Sequence, residues 1–125
     1  MTVNNADLYV AGLWDWGFLD DCFDDTKIRV SDIDGMVERN GRFLMIETKA
    51  EGVEIPVGQR IMFENFVRQN NHVLIIWGRQ GDATFSLSLI TPRRTVNYCD
   101  RDEAFIKYIV SQWFKYANAK KSGAS

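Results

Sequence analysis

The sequence predicts a mixed α/β domain in which α-helices flank a central β-sheet. Asn40-Gly41 lies between two strand-like segments and indicates a hairpin, because a type I′ turn needs a positive φ at both central residues. Val73–Trp77 is a continuous apolar run rich in β-branched residues, which is typical of a strand covered on both faces. After Asp100, apolar residues recur at helical spacing. We therefore expect a helix, a β-hairpin, a helix, two strands and a closing helix, in that order.

The first helix and the hairpin occupy the start of the chain. We predict a helix over Asn5–Phe23, interrupted by Gly12 and Gly17, since glycine weakens a helix interior. The two strands of the hairpin are predicted over Ile28–Glu38 and Phe43–Lys49.

A second helix follows a break in the chain at Gly52 and Pro56. We predict this helix from about Val57 to Asn70. Its inward-facing residues are expected to be Ile61, Met62 and Phe66, with Phe63 and Val67 as further candidates.

The remaining elements are a strand with one solvated face and a long helix. Phe85–Leu89 alternates apolar and polar residues, which predicts a half-covered strand. Asp100 followed by Glu103 resembles a capping box at the start of the closing helix. The apolar residues of that helix are Phe105, Ile106, Ile109, Val110, Trp113 and Tyr116.

Length and composition predict one globular domain. The chain has 125 residues, of which 46% are hydrophobic, which is enough to build a core. We assign residues 1–119 to the domain and expect a disordered tail over residues 120–125. The chain has no apolar run long enough for a membrane span, and Met1–Leu8 lacks the features of a signal peptide. We therefore expect a cytoplasmic protein with no membrane partner.

The charge distribution and the small number of cysteine and histidine residues indicate which kinds of site the chain can form. The net charge is −2, but residues 1–35 hold eight acidic and two basic residues, whereas the rest holds nine acidic and thirteen basic ones. This division suits a metal site that faces a phosphate backbone, and a scattered solvated surface explains it equally well. Cys22 and Cys99 are expected to be reduced, and His72 is the only histidine, which argues against a zinc site.

The hairpin register brings ionisable residues together. If Asn40-Gly41 is the loop, Asp34 lies opposite Glu47 and Asp32 lies opposite Lys49. Glu47 and Lys49 share a face because they are two residues apart in a strand. Two opposed carboxylates are unfavourable unless they share a proton or bind a divalent cation, and Mg²⁺ is commonly held by one or two carboxylates. The register therefore predicts a metal site at Asp34 and Glu47 with Lys49 beside it.

These residues resemble the motif of a nuclease superfamily. Asp34, followed after a hairpin by Glu47-Thr48-Lys49, resembles the PD-(D/E)XK nucleases. Gly58-Gln59-Arg60 resembles the glutamine-bearing motif of the virus-type and Holliday-junction-resolvase branches, and the chain as a whole is similar to small phage-type members. The resemblance covers roughly residues 28–77. One departure is Ile33, which stands where the motif has proline.

The resemblance implies both a fold and an activity. The implied fold is a restriction-endonuclease-like core, a mixed sheet flanked by helices in αβββαβ-type order. The implied activity is a Mg²⁺- or Mn²⁺-dependent deoxyribonuclease acting on DNA. In such an enzyme Asp34, Glu47 and the carbonyl of Thr48 bind the metal, Lys49 positions or activates the attacking water, and Gln59 orients the site.

Other charged residues carry weaker expectations. Arg60, Arg93 and Arg94 are predicted nucleic-acid contacts, and ordinary surface solubility explains them as well. The acidic residues of the first helix are compatible with a further metal ligand or with a solvated face; they are Asp20, Asp21 and Asp24.

Two alternative interpretations stay open. One is a structural cross-strand ion pair between Lys49 and Asp32 on a solvated sheet face. The other is a catalytically silent module on the same fold that binds nucleic acid or protein, such as a phage protein that blocks a host defence. A homodimer is compatible with the nuclease interpretation, because two symmetric cuts need two sites.

Overall fold

The computed structural model describes residues 13–119, and its chain divides into two compact units, Met1–Asp32 and Ile33–Ser125. In the first unit, Trp16–Phe23 forms a 3₁₀ helix. The carboxylate of Asp15 caps this helix by accepting the Gly17 N–H at 2.9 Å. The helix predicted over residues 5–23 is therefore present over Trp16–Phe23, as a 3₁₀ helix, and absent over residues 13–15. Its residues 5–12, and the tail predicted over residues 120–125, lie outside the described residues.

The second unit is a five-stranded sheet with two α-helices. Its elements are β1 (Gly35–Arg39), β2 (Arg42–Lys49), α1 (Val57–Val67), β3 (His72–Trp77), β4 (Phe85–Ile90), β5 (Thr95–Arg101) and α2 (Glu103–Asn118). The strands lie in chain order, with β2 and β3 parallel and every other neighbouring pair antiparallel. This confirms the coarse prediction of a mixed sheet flanked by helices.

The element order differs from the αβββαβ-type order that the resemblance implied. In the second unit the order is ββαβββα, so only two strands precede the first α-helix. The first strand is also shorter than predicted, because it begins at Gly35, where its pairing with β2 begins, rather than at Ile28.

The hairpin register is confirmed. Asn40 and Gly41 have φ values of 56° and 78°, as a type I′ turn requires. The β1–β2 ladder runs from Arg39 opposite Arg42 to Gly35 opposite Ile46. Asp34 is thus the residue immediately beyond the ladder on the β1 side.

The two α-helices cover opposite faces of the sheet. Helix α2 packs on the face that carries Leu44, Leu74 and Leu87, to which it contributes Ile109 and Trp113. Helix α1 packs on the other face. The residues buried there are Met45, Phe63, Val67, Val73 and Ile75. Alternate residues of β2 therefore enter two separate cores.

Several local predictions are wrong. Strand β5 has no counterpart in the predicted elements, and the N-cap of α2 is Asp102 rather than Asp100. The Asp102 carboxylate accepts the Phe105 N–H at 2.9 Å, while Asp100 has a φ of 53° inside β5. In α1, Ile61 was expected to face inward but is 51% exposed.

Two further expectations concern the chain's surroundings. Cys22 and Cys99 are both free, and both side chains are exposed. Between residues 13 and 119, no helix has the length and apolar character needed to cross a bilayer.

Candidate active site

Strand β2 carries two charged residues on the face that α1 covers. The alternation of side chains places Met45, Glu47 and Lys49 on this face. Glu47 is only 6% exposed, and the Lys49 side chain is 17% exposed. Charged side chains are rarely buried unless they are paired or functional. Apolar packing therefore does not explain why charged residues occupy these two positions on this face.

Helix α1 supplies the partner that fixes the Glu47 carboxylate. Pro56 begins the helix, so Gln59 lies in its first turn, directly above β2. Gln59 Nε2 donates a hydrogen bond of 2.6 Å to Glu47 Oε2. Lys49 Nζ lies 3.7 Å from the same oxygen, which makes an ion pair rather than a close hydrogen bond. The ion-pair partner that the structure gives Lys49 is thus Glu47.

Asp34 is held against the end of β2 by Thr48. Its Oδ2 accepts hydrogen bonds from the Thr48 N–H at 2.9 Å and from the Thr48 hydroxyl at 3.0 Å. A strand residue points its N–H and C=O toward the same neighbouring strand, so the Thr48 carbonyl also lies on the β1 side. The resemblance to the PD-(D/E)XK nucleases implies a role for the Thr48 carbonyl only. A threonine between Glu47 and Lys49, on the opposite face of β2, was the available signal for this anchor.

The Asp34 carboxylate is close enough to Glu47 to affect the ionisation of the Glu47 carboxyl. Burial raises the pKa of Glu47, and the negative charge of Asp34 raises it further. The hydrogen bond from Gln59 and the charge of Lys49 act in the opposite direction, but the net shift of this pKa is upward. The site is therefore short of positive charge when both carboxylates are ionised.

The donor set fits a hard cation of the Mg²⁺ type. Over residues 13–119, no three His, Cys, Asp or Glu side chains are grouped to hold a metal ion. A structural zinc needs four protein ligands, whereas Mg²⁺ is commonly bound by one or two carboxylates together with waters and substrate phosphates. Gln59 Oε1 is also buried without a hydrogen-bond partner in this part of the chain. Asp34, Glu47 and this unused acceptor are oxygen donors of the kind that Mg²⁺ prefers.

The predicted nucleic-acid contacts lie in two places. Arg60 is exposed on α1, next to Gln59, and lines a cleft beside the site. Arg93 and Arg94 lie in the turn between β4 and β5 and line a different cleft, together with His72 at the start of β3. Because β2 and β3 are parallel, this turn is at the opposite end of the sheet from Lys49. The structure thus places Arg60 on the helix that carries Gln59, and Arg93 and Arg94 at the other end of the sheet.

The acidic residues of the 3₁₀ helix belong to the first unit. Within that unit, Asp20 Oδ2 lies 3.9 Å from Arg29 Nε, and both side chains are largely exposed. Asp21 and Asp24 are exposed as well. In the same unit, Asp32 accepts a hydrogen bond of 2.8 Å from Trp16 Nε1.

Comparison with known proteins adds no neighbour to this description. No protein-family model, no curated protein and no solved structure matches the chain. The function is therefore inferred from the geometry and electrostatics of Asp34, Glu47, Lys49 and Gln59.

Proposed function

We propose that this protein is a metal-dependent nuclease that hydrolyses DNA phosphodiester bonds. The observation that carries the proposal is the buried Glu47 carboxylate, set beside Asp34 and contacted by Lys49 and Gln59. The two apolar cores of the second unit do not include these charged groups, and burial together with the charge of Asp34 raises the pKa of Glu47, which disfavours its ionised form. A bound divalent cation would remove that cost and leave both carboxylates ionised.

Each residue has a distinct task in this proposal. Asp34, Glu47 and the Thr48 carbonyl hold Mg²⁺ or Mn²⁺, which when bound stabilises negative charge on the phosphate and favours ionisation of water. Thr48 keeps the Asp34 carboxylate in place through its N–H and hydroxyl. Gln59 fixes the orientation of the Glu47 carboxylate.

Lys49 is the residue that we assign to the attacking water. Its ammonium group stands beside Glu47 and offers donors both to a water oxygen and to a phosphate oxygen. The water loses a proton to solvent as its oxygen forms a bond to phosphorus, the bond from phosphorus to the leaving sugar oxygen breaks, and that oxygen takes up a proton from solvent. Lys49 positions or activates the nucleophile and offsets the charge that develops on the phosphate.

The test is cleavage of plasmid, linear and four-way-junction DNA with Mg²⁺, with Mn²⁺ and with EDTA. We expect cleavage of at least one substrate with either ion and none with EDTA. Lys49→Ala should lower the rate by about 10²- to 10⁴-fold, the range of general acid–base effects. Lys107→Ala is the matched control, because Lys107 is exposed and pairs with Glu103, one turn earlier on α2.

The two variants also separate loss of chemistry from loss of folding. Circular dichroism and thermal melts should show that Lys49→Ala remains folded. Cleavage at the wild-type rate by folded Lys49→Ala would refute the assigned role. Binding of DNA without cleavage under every metal condition would instead favour a silent binding module.

A further inference from the structure

A cleft of about 570 Å³ opens on the same face of the sheet as the candidate site. Its floor consists of Trp77, Ser86, Ser88 and Asn97, from β3, β4 and β5. Helix α1 covers β2 and β3 but leaves Ser86 and Asn97 exposed. The volume falls within the usual range for small-molecule sites, about 300–1,000 Å³.

The strand registers connect this cleft directly to the site. Lys49 pairs with Trp77, and Trp77 pairs with Ser86. Two residues earlier in β2, on the same face, Glu47 pairs with Ile75, and Ile75 pairs with Ser88. Neighbouring strands are about 4.8 Å apart, so the serines lie two strand spacings, about 10 Å, from the charged pair. A group attached to the substrate next to the cut would therefore reach the cleft.

The floor of the cleft combines an aromatic surface with unused polar groups. The indole of Trp77 is fixed by a hydrogen bond of 2.7 Å from its Nε1 to the Val53 carbonyl. The Ser88 hydroxyl donates to Asn97 Oδ1. Among residues 13–119, the Ser86 hydroxyl and Asn97 Nδ2 have no hydrogen-bond partner. These groups match a flat ring with donors and acceptors on its edge, since aromatic side chains stack on bases and amides bond to base edges.

The charge at the rim indicates a base rather than a phosphate. Glu51 and Glu54 line the cleft, and Arg60 is its one cationic lining residue within the described part of the chain. Phosphates require cationic contacts, so this balance disfavours a path for the backbone through the cleft. Carboxylates accept hydrogen bonds from the amino groups of bases, and both N–H bonds of such an amino group are free only when the base is unpaired.

We infer that this cleft, which we call the base cleft, binds an unpaired nucleobase next to the phosphate that is cut. The inference rests on the proposed nuclease function for the placement of that phosphate. It specifies the substrate class as nucleic acid with an unpaired nucleotide at the cut, such as a single strand, a flap or a frayed end. Intact duplex is disfavoured because extracting a paired base costs a few kcal/mol.

The inference is tested by fluorescence anisotropy in EDTA, so that binding is measured without cleavage. The probes are a labelled DNA strand of about 12 nucleotides, the same strand in a duplex, and the same strand with abasic sites. The intact single strand should bind tightest. Ser86→Ala/Asn97→Ala should weaken its binding about tenfold, the effect of losing one or two hydrogen bonds, and should leave abasic binding unchanged.

A matched control is Thr95→Ala, which should not change binding. Thr95 is exposed and lies on the same face of β5 as Asn97 but does not line the base cleft. A matching RNA strand shows whether the unpaired base comes from DNA or from RNA. Equal binding of intact and abasic strands, or wild-type affinity in the double variant, would overturn the inference.

The failure of this inference is distinguishable from failure of the nuclease. Lys49→Ala should keep the preference for intact single strands while losing cleavage. If the wild type cleaves duplex and abasic strands as fast as intact single strands, the nuclease stands and the base cleft is refuted. If it binds intact strands selectively but cleaves none with Mg²⁺ or Mn²⁺, the nuclease is refuted and the base cleft stands as a binding site.

Discussion

The two faces of one sheet differ in how completely packing explains them. On the α2 face, residues of the central strands and of the helix form an apolar core that includes Leu44, Leu74 and Trp113. On the α1 face, the apolar core around Phe63 is followed along β2 by Glu47 and Lys49. The floor of the base cleft, on β4 and β5 of the same face, is polar. The same strands form both faces, so β-propensity does not account for the difference.

This contrast separates residues that stabilise the fold from residues that carry chemistry. A buried apolar side chain contributes free energy by leaving water, about 1.5–3 kcal/mol for a leucine. A buried carboxylate loses solvation and needs partners, which here are one glutamine and one lysine beside a second carboxylate. Core residues such as Leu74 should therefore respond to mutation through stability, and Glu47 and Lys49 through function and metal.

The largest stability effect is expected on the α2 face. Leu74 is fully buried in the middle of the sheet, so Leu74→Ala should lower the free energy of unfolding by about 2–5 kcal/mol. Val37 lies on the same face of the edge strand but is 38% exposed, so Val37→Ala should cost much less. Urea unfolding of both variants measures the difference. Equal losses would contradict the view that this core is centred on the inner strands.

The contrast between the faces also explains which features could be predicted. The Asn40-Gly41 turn alone fixes the pairing of β1 with β2, because turn type and the two-residue period leave one register. The placement of Asp34 and Glu47 follows from that register, and the position of Gln59 follows from the break at Pro56. Each of these features depends on residues that are close together in the sequence, so each could be predicted from a short segment.

The features that were missed depend on tertiary pairing. Strand β5 contains Asn97, Asp100 and Arg101, which are poor strand formers, and is extended because it pairs with β4. Asp100 adopts a positive φ at a register shift in that pairing, which leaves Asp102 to cap α2. The base cleft needs β4 to pair with β3 and β5 to pair with β4, so no pattern within one segment predicts it.

The second prediction concerns metal and the α1 face. In the presence of Mg²⁺ or Mn²⁺ at a hundredfold excess over the dissociation constant, the wild type should gain about 2.7 kcal/mol of stability by mass action. Asp34→Asn should lose most of this gain, because it removes one of the two carboxylates. Thermal melts with each ion and with EDTA measure the effect. An equal gain in Asp34→Asn would place the metal site elsewhere.

A smaller effect of opposite sign is expected for the same variant without metal. An asparagine keeps an amide oxygen that accepts from the Thr48 N–H and hydroxyl, but it removes the charge that raises the pKa of Glu47. In EDTA at neutral pH, Asp34→Asn should therefore be more stable than the wild type by about 0.2–1 kcal/mol, the range of a cross-strand pair. Urea unfolding in EDTA decides this, and a loss of stability would mean that Asp34 is structural.

The smallest effect compares one titrating group on each face, and their pH dependences should have opposite signs. Burial lowers the pKa of His72, with a further contribution from the charge of Arg42, and the imidazole stacks on Tyr116 of α2 at 5.1 Å. The unfolded chain then binds more protons between the lowered folded pKa and the ordinary value of 6.5, so stability is lost as pH falls through that window. Glu47 has a raised pKa, so the folded state binds more protons above the ordinary value of 4.5, and stability is lost as pH rises from there through the folded pKa.

Both contributions are tested in EDTA. His72→Gln should remove the stability loss on falling pH and keep the loss on rising pH that comes from Glu47. Glu47→Gln should remove the loss on rising pH and keep the loss on falling pH that comes from His72. Urea unfolding over a pH series measures both slopes, and a matching slope in the two variants would show that the two faces do not titrate independently.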